Sequence, residues 1–192
     1  MSIFCEGIKD EDGRLPKQFG DFAEGLVMYL LGQRGMSVAL IDHVGADLIA
    51  AERNNPEKRY AISVKGRNIP DTESKGFNFS QDNIDKLRRT AETFGLIPAV
   101  AFVFVDKFEK VVKIRILLST LDKLQEQSKN EKIEFINDKV KSGGIYIKYE
   151  KLAKSGKDSH LDQIRNCGFI DYTEFELNRM DTNKSPFACD EK

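Results

Sequence analysis

The seven residues from Ala99 to Val105 (Ala-Val-Ala-Phe-Val-Phe-Val) carry no polar side chain. A run this short, set between Pro98 and Asp106-Lys107, is too brief for a buried helix. It is also rich in the β-branched and aromatic residues that strands favour. Side chains alternate faces along a strand, so an unbroken apolar run means that both faces are covered. The chain must therefore build a sheet with something packed on each side of it.

The covering elements are readable as amphipathic helices. From Pro16 onward, Phe19, Phe22, Ala23, Leu26, Val27, Leu30 and Leu31 recur at helical spacing until Gly35, which predicts a first helix with one apolar stripe. Glu24 lies roughly 115° from the centre of that stripe, at the edge of the buried face. A second helix is predicted from Ser80 or Asp82, either of which can cap it, to Gly95, burying Ile84, Leu87, Ala91 and Phe94. Lys86, Arg88 and Arg89 fall on its other faces.

Further strands fill out the sheet. Ser37 to His43 reads as one strand, with His43 as a capped strand end. Gly45 to Ala51 and Arg59 to Arg67 read as two more, joined by a loop over Glu52 to Lys58 around Asn54-Asn55-Pro56. Asn68 to Phe79 is polar and glycine-containing and reads as a loop. Val111 to Leu118 alternates apolar residues with Lys113 and Arg115, as a strand with one wet face does, after a turn over Asp106 to Lys110. Beyond Ser119 the pattern thins. Thr120 to Asn130 suits a helix, Gly144 to Tyr149 a strand, His160 to Asn166 a short helix and Phe169 to Phe175 a strand. The expected fold class is α/β, a mixed central β-sheet flanked by helices. The expected organisation is a leader over 1–15, a core over 16–118 and an accessory region over 119–192 packed on the same domain.

Composition narrows the function. The chain has 192 residues, 30 basic and 31 acidic, for a net charge of -1, so any polyanion site must come from local clustering. Cys5, Cys167 and Cys189 are odd in number and form no CxxC pair, which supports neither a disulfide framework nor a zinc ribbon. Only His43 and His160 are present, no phosphate-binding glycine motif occurs, and no signal peptide or membrane span is readable. A cytoplasmic protein without a membrane partner is expected.

The chemistry sits in the hairpin. Along Arg59 to Arg67, Ala61, Ser63 and Lys65 share one face while Tyr60, Ile62 and Val64 share the other. A lysine in an apolar strand needs a partner or a task. Asp47, at the head of the preceding strand, is the evident partner. Such a pair can be a structural ion pair in any α/β protein. It can also serve phosphodiester hydrolysis, in which a hard cation held by carboxylates polarises the phosphoryl group and a lysine stabilises developing charge.

The order of a helix bearing an acid, an Asp on one strand, an x-Lys pair on the next, then a helix and further strands resembles the PD-(D/E)XK nuclease superfamily. The likeness is to its restriction-endonuclease-like and Holliday-junction-resolvase-like branches, and it covers about residues 16–118. It implies a restriction endonuclease-like core with a C-terminal accessory layer, and metal-dependent cleavage of DNA as an endonuclease. The matching positions are Glu24 and Asp47, which bind the metal in that family, and Lys65, which serves the attacking water. The implied cofactor is Mg2+ or Mn2+, the implied partner is DNA, and a homodimer is common among relatives.

The family's acid two residues before the lysine is Ser63 here. Either Glu24, Asp47, the Ser63 hydroxyl, the Val64 backbone carbonyl and waters complete the coordination, or the site is catalytically silent and the chain binds nucleic acid or a protein partner. DNA contacts are expected from Arg67 and Asn68 at the strand end, Lys75 in the following loop, and Ser80, Gln81 and Lys86 at the start of the second helix, where backbone amides favour phosphate.

Overall fold

The computed structural model describes residues 14–69, 77–106, 111–129, 136–138, 143–148 and 171–178. Among them, three helices and nine strands follow in the order α1 (Arg14–Gln33), β1 (Met36–His43), β2 (Ala46–Glu52), β3 (Asn55–Ile69), β4 (Phe77–Ser80), α2 (Gln81–Phe94), β5 (Ile97–Asp106), β6 (Val111–Thr120), α3 (Leu121–Ser128), β7 (Ile136–Asp138), β8 (Gly144–Ile147) and β9 (Asp171–Asn178). Six strands make one sheet, ordered β1-β2-β3-β5-β6-β9, and β4-β8-β7 make a smaller one. Only the β3–β5 pairing in the larger sheet is parallel, so the sheet is mixed. A parallel pair needs a crossover connection, and α2 lies within the segment that provides it. This is the mixed α/β sheet flanked by helices that the sequence leads one to expect.

The apolar run of β5 divides its residues between two cores. Ala99, Ala101, Val103 and Val105 face Ala23, Val27 and Leu31 of α1, together with Leu48, Ala50, Ile62 and Val64. Val100, Phe102 and Phe104 face Ile84, Leu87 and Ala91 of α2, together with Phe79, Ile145 and Ile147 of the small sheet. Phe77 and Phe79 of β4 both meet the Phe102 ring edge-on. Small residues on one face admit the helix closely, while rings on the other fill the space beneath a second sheet.

Several local expectations are corrected. The β2–β3 loop is only the Arg53-Asn54 turn, because Asn55 to Lys58 extends β3. The segment read as a loop over Asn68 to Phe79 begins and ends in strand, with β3 reaching Ile69 and β4 starting at Phe77. Phe22 and Phe94 are 45% and 47% exposed: Phe22 turns away from the Ala23–Val27–Leu31 stripe, and Phe94 sits in the last turn of α2, edge-on to the His43 ring. The wet face assigned to β6 is not wet at Arg115, which is 5% exposed. Arg88, on a largely solvated face of α2, bonds Asp122 at 3.0 Å and also Gln125, and so ties α2 to α3. The short helix expected at 160–166 and the turn expected at 107–110 lie outside the described residues. No described helix is long and apolar enough to cross a membrane.

Candidate active site

The β1–β2 turn is pressed onto α2. Gly45 has φ +100°, and a Cβ there would lie 2.5 Å from both the backbone carbon and oxygen of Lys86, so glycine is needed both for conformation and for space. Thr90 of α2 donates its hydroxyl proton to the Val44 carbonyl. His43 Nδ1 lies 3.2 Å from Val44 O and 3.3 Å from Thr90 Oγ1, so the exposed His43 ring caps its strand end as expected. Asp47 is thereby placed two residues from a rigid anchor.

Beyond Leu48 and Ile62 the β2–β3 register ends, whereas β3 continues to pair with β5 as far as Ile69. A residue in a ladder uses its N–H and C=O on the same edge, so Val64 presents both toward β2 where β2 no longer answers. The Asp47 carboxylate takes that place. Its Oδ2 accepts the Val64 N–H at 2.6 Å and the Ser63 hydroxyl at 3.3 Å, and Lys65 Nζ stands 4.0 Å from the same oxygen. All of these contacts fall on Oδ2. Asp47 and Lys65 keep 29% and 28% of their side-chain surface in solvent, while Ser63 is 3% exposed. The pair read from the hairpin therefore sits, partly exposed, in a notch where two strands part.

Glu24 is half-buried on α1, directly after Ala23. Ala23 and Phe19 pack on Gly66, so α1 crosses β3 one residue past Lys65. Sequence reasoning missed that contact, although a glycine after a strand lysine was the available signal. Beside Asp47 the donor atoms are oxygens, Asp47 Oδ1, the Ser63 hydroxyl and the Val64 carbonyl, while Glu24 lies on α1, which packs over the other face of the sheet. Such a set suits a hard cation that completes its shell with water. No group of three or more His, Cys, Asp or Glu is gathered among the described residues, so a cation at Asp47 would depend on neutral oxygens and water for most of its shell.

The candidate nucleic-acid contacts separate into two sets. Arg67 and Asn68 are exposed at the end of β3, and Arg67 lies two residues beyond Lys65, on the same face. In register across the sheet, Arg67 sits opposite Phe104 and Phe104 opposite Arg115. The α2 residues are engaged within their own helix. Ser80 is the N-cap and accepts from the Asn83 N–H, Gln81 donates to Asp85 at 2.8 Å, and Lys86 pairs with Asp82 at 2.6 Å. Lys75 lies outside the described residues.

No protein-family profile matches this chain, and no curated protein matches it. Among solved structures, the chain is similar to a Holliday junction resolvase, Hjc, from the archaeal hyperthermophile Archaeoglobus fulgidus. Identity is 12%, the match covers 75% of this chain and 95% of that one, and the TM-score is 0.45. A likeness at that level is one of outline, and the site rests on its own residues.

Proposed function

We propose that the chain is a divalent-metal-dependent nuclease that hydrolyses DNA phosphodiester bonds. The observation that supports this reading best is the single-sided use of Asp47. Its Oδ2 accepts from the Val64 N–H and the Ser63 hydroxyl and stands 4.0 Å from Lys65 Nζ, and these contacts leave Oδ1 for a cation. A partly exposed carboxylate gains little stability from an ion pair as long as the 4.0 Å one to Lys65, because exposed ion pairs contribute little.

Asp47, the Val64 carbonyl and Ser63 would hold Mg2+ or Mn2+ together with waters, and Glu24 would join them by reaching from α1 past the end of β2. When bound, such an ion polarises a phosphoryl oxygen and acidifies a water. Ser63 and the Val64 N–H orient the Asp47 carboxylate by fixing one of its oxygens. Lys65, held beside that carboxylate, supplies positive charge where the phosphorane oxygens would become more negative. Arg67 and Asn68 extend the cationic edge toward the flanking backbone and position DNA without reading its sequence. The same reading takes the protein to be a cytoplasmic homodimer.

The test is cleavage of duplex and branched DNA by purified protein with Mg2+, Mn2+ or chelator. Asp47→Ala and Lys65→Ala should each lower the rate at least ~100-fold, the scale of removing one preorganised electrostatic group. Cleavage that persists in both variants defeats the proposal. A second reading, a silent nuclease-fold module that binds nucleic acid, draws on Ser63 standing buried where an acid is expected. It is favoured if wild-type protein binds DNA without metal and cuts only after Ser63→Glu.

A further inference from the structure

Asp47 stands at a gap in both of its ladders. On the β3 side, the β2–β3 register ends at Leu48 and Ile62, just short of it. On the β1 side, Leu40 pairs with Leu48 and His43 with Ala46, so Ile41 and Asp42 together oppose Asp47 alone. Two residues facing one make a β-bulge, a device that re-aims a side chain and breaks the ladder locally. Strand pairing therefore does not hold the Asp47 backbone where its Oδ2 can meet the Val64 N–H at 2.6 Å and the Ser63 hydroxyl at 3.3 Å. Something else must.

Helix α2 supplies that hold. Thr90 is 2% exposed, and its hydroxyl donates to the Val44 carbonyl in the turn before Asp47. A threonine hydroxyl within a helix usually bonds back to its own backbone, as Thr93 does to the Arg89 carbonyl at 2.8 Å. Thr90 spends its proton on the turn instead. At Gly45 the two backbones touch: a Cβ there would lie 2.5 Å from the Lys86 carbonyl carbon and oxygen and 2.9 Å from the Leu87 nitrogen. Main chain against main chain cannot swing aside as a side chain can. Ala46 is buried in one core with Ile84, Leu87 and Ala91 of α2. Val44, Gly45 and Ala46, which lead directly into Asp47, are thus each fixed against α2 or its core. We infer that Thr90 is a positioning residue for Asp47: through the Val44 carbonyl, α2 sets where the Asp47 carboxylate meets Val64 and Ser63. The consequence for cleavage rests on the nuclease reading above, whereas the positioning does not.

The bond between Asp47 and Val64 can be read directly, from the Val64 amide in proton–nitrogen correlation spectra of the full chain without added metal. A short bond to a carboxylate is a strong one and draws that proton downfield. Thr90→Val removes the hydroxyl and nearly keeps the shape, so the Val64 signal should move upfield, toward that of an ordinary strand amide. Thr90→Ser should return it. Ser128→Ala loses a bond of the same kind, from a hydroxyl to the Gln125 carbonyl in α3, and should leave the Val64 signal unmoved. In DNA cleavage, Thr90→Val should lower kcat about tenfold with KM unchanged, part of the ~100-fold that a misplacement of about 1 Å costs. If Thr90→Val does not fold, Thr90→Ser against Thr90→Cys makes the same comparison, because a thiol is a weak donor. An unmoved Val64 amide in folded Thr90→Val, or an equal shift in Ser128→Ala, overturns the inference whatever happens to DNA. A moved amide with full kcat overturns its bearing on cleavage. A moved amide in a protein whose wild type cuts no DNA supports the positioning and removes the nuclease reading.

Discussion

The two faces of the central sheet are made from the same strands and differ in kind. On the α1 side, Leu48, Ala50, Ile62, Val64, Ala99, Ala101 and Val103 meet Ala23, Val27 and Leu31 in a packing without a buried charge. On the α2 side, Val100, Phe102, Phe104 and Leu117 pack as densely, yet the rows around them carry Asp47, Ser63, Lys65, Arg67, Arg115 and Ser119. The twofold period of a strand does the sorting. In β3 it sends Ile62 and Val64 to one side and Ser63 and Lys65 to the other. One face is thus apolar while the other bears charge, and in the notch beyond Leu48 and Ile62, where β2 and β3 part, the Asp47–Lys65 pair is partly open to solvent.

The sharpest way to test this division is to damage the apolar face next to the site. Leu48 is fully buried, pairs with Ile62 and neighbours Asp47 in the chain. Leu48→Ala should lower the unfolding free energy by about 2–5 kcal/mol, the usual cost of removing a buried aliphatic side chain and leaving a cavity, as read from urea unfolding. A loss under about 1 kcal/mol would mean that the α1 face is not the tightly packed one.

The polar face should yield less to a comparable change. Ser63→Ala deletes one buried hydroxyl that donates to Asp47 Oδ2 at 3.3 Å, and the shorter Val64 N–H bond remains. The expected loss in the same assay is about 1 kcal/mol, that of a single side-chain hydrogen bond. A loss as large as that of Leu48→Ala would show that the α2 face depends on its polar groups for stability, and the division between the faces would fail.

How much of this the sequence disclosed follows the range over which each signal acts. The β5 run, the α2 caps at Ser80 and Gly95 and the Asp47–Lys65 pair are local patterns, and each was legible. Thr120 likewise caps α3. The length of β3 was not legible, because Asn55 to Lys58 is polar and Pro56 suggests a turn; the tight Arg53-Asn54 reversal and pairing with β2 override that preference. Arg115 was misread because alternation reports only that a face differs, and its cover comes from elements distant in sequence. Phe22 and Phe94 fit a helical stripe on paper, yet helix packing admits only its central residues. The site was half legible: Asp47, Ser63 and Lys65 meet as the alternation implied. The fixing of Oδ2 by Val64 N–H depends on where β2 and β3 part, and the Gly66–Phe19 contact depends on a helix more than forty positions earlier in the chain.

The smallest effect tests a polar group at the margin of the apolar face. Tyr60 packs at the edge of the α1 core, and its hydroxyl donates to Glu52 at 3.3 Å. Burial first, and then the charge of Glu52 and the hydrogen bond to it, raise the Tyr60 pKa above its ordinary value of 10.0. A group whose pKa is raised on folding holds its proton more tightly in the folded state. Its contribution to stability is then complete below about pH 10 and is lost as pH rises through the folded value. Wild-type protein should therefore lose melting temperature more steeply above pH 10 than Tyr60→Phe does, with the two curves parallel between pH 7 and 9. Parallel curves throughout would mean that the hydroxyl is as well solvated in the folded chain as in the unfolded one. The apolar face would then end at Ile62, one strand position short of where the packing now places its margin.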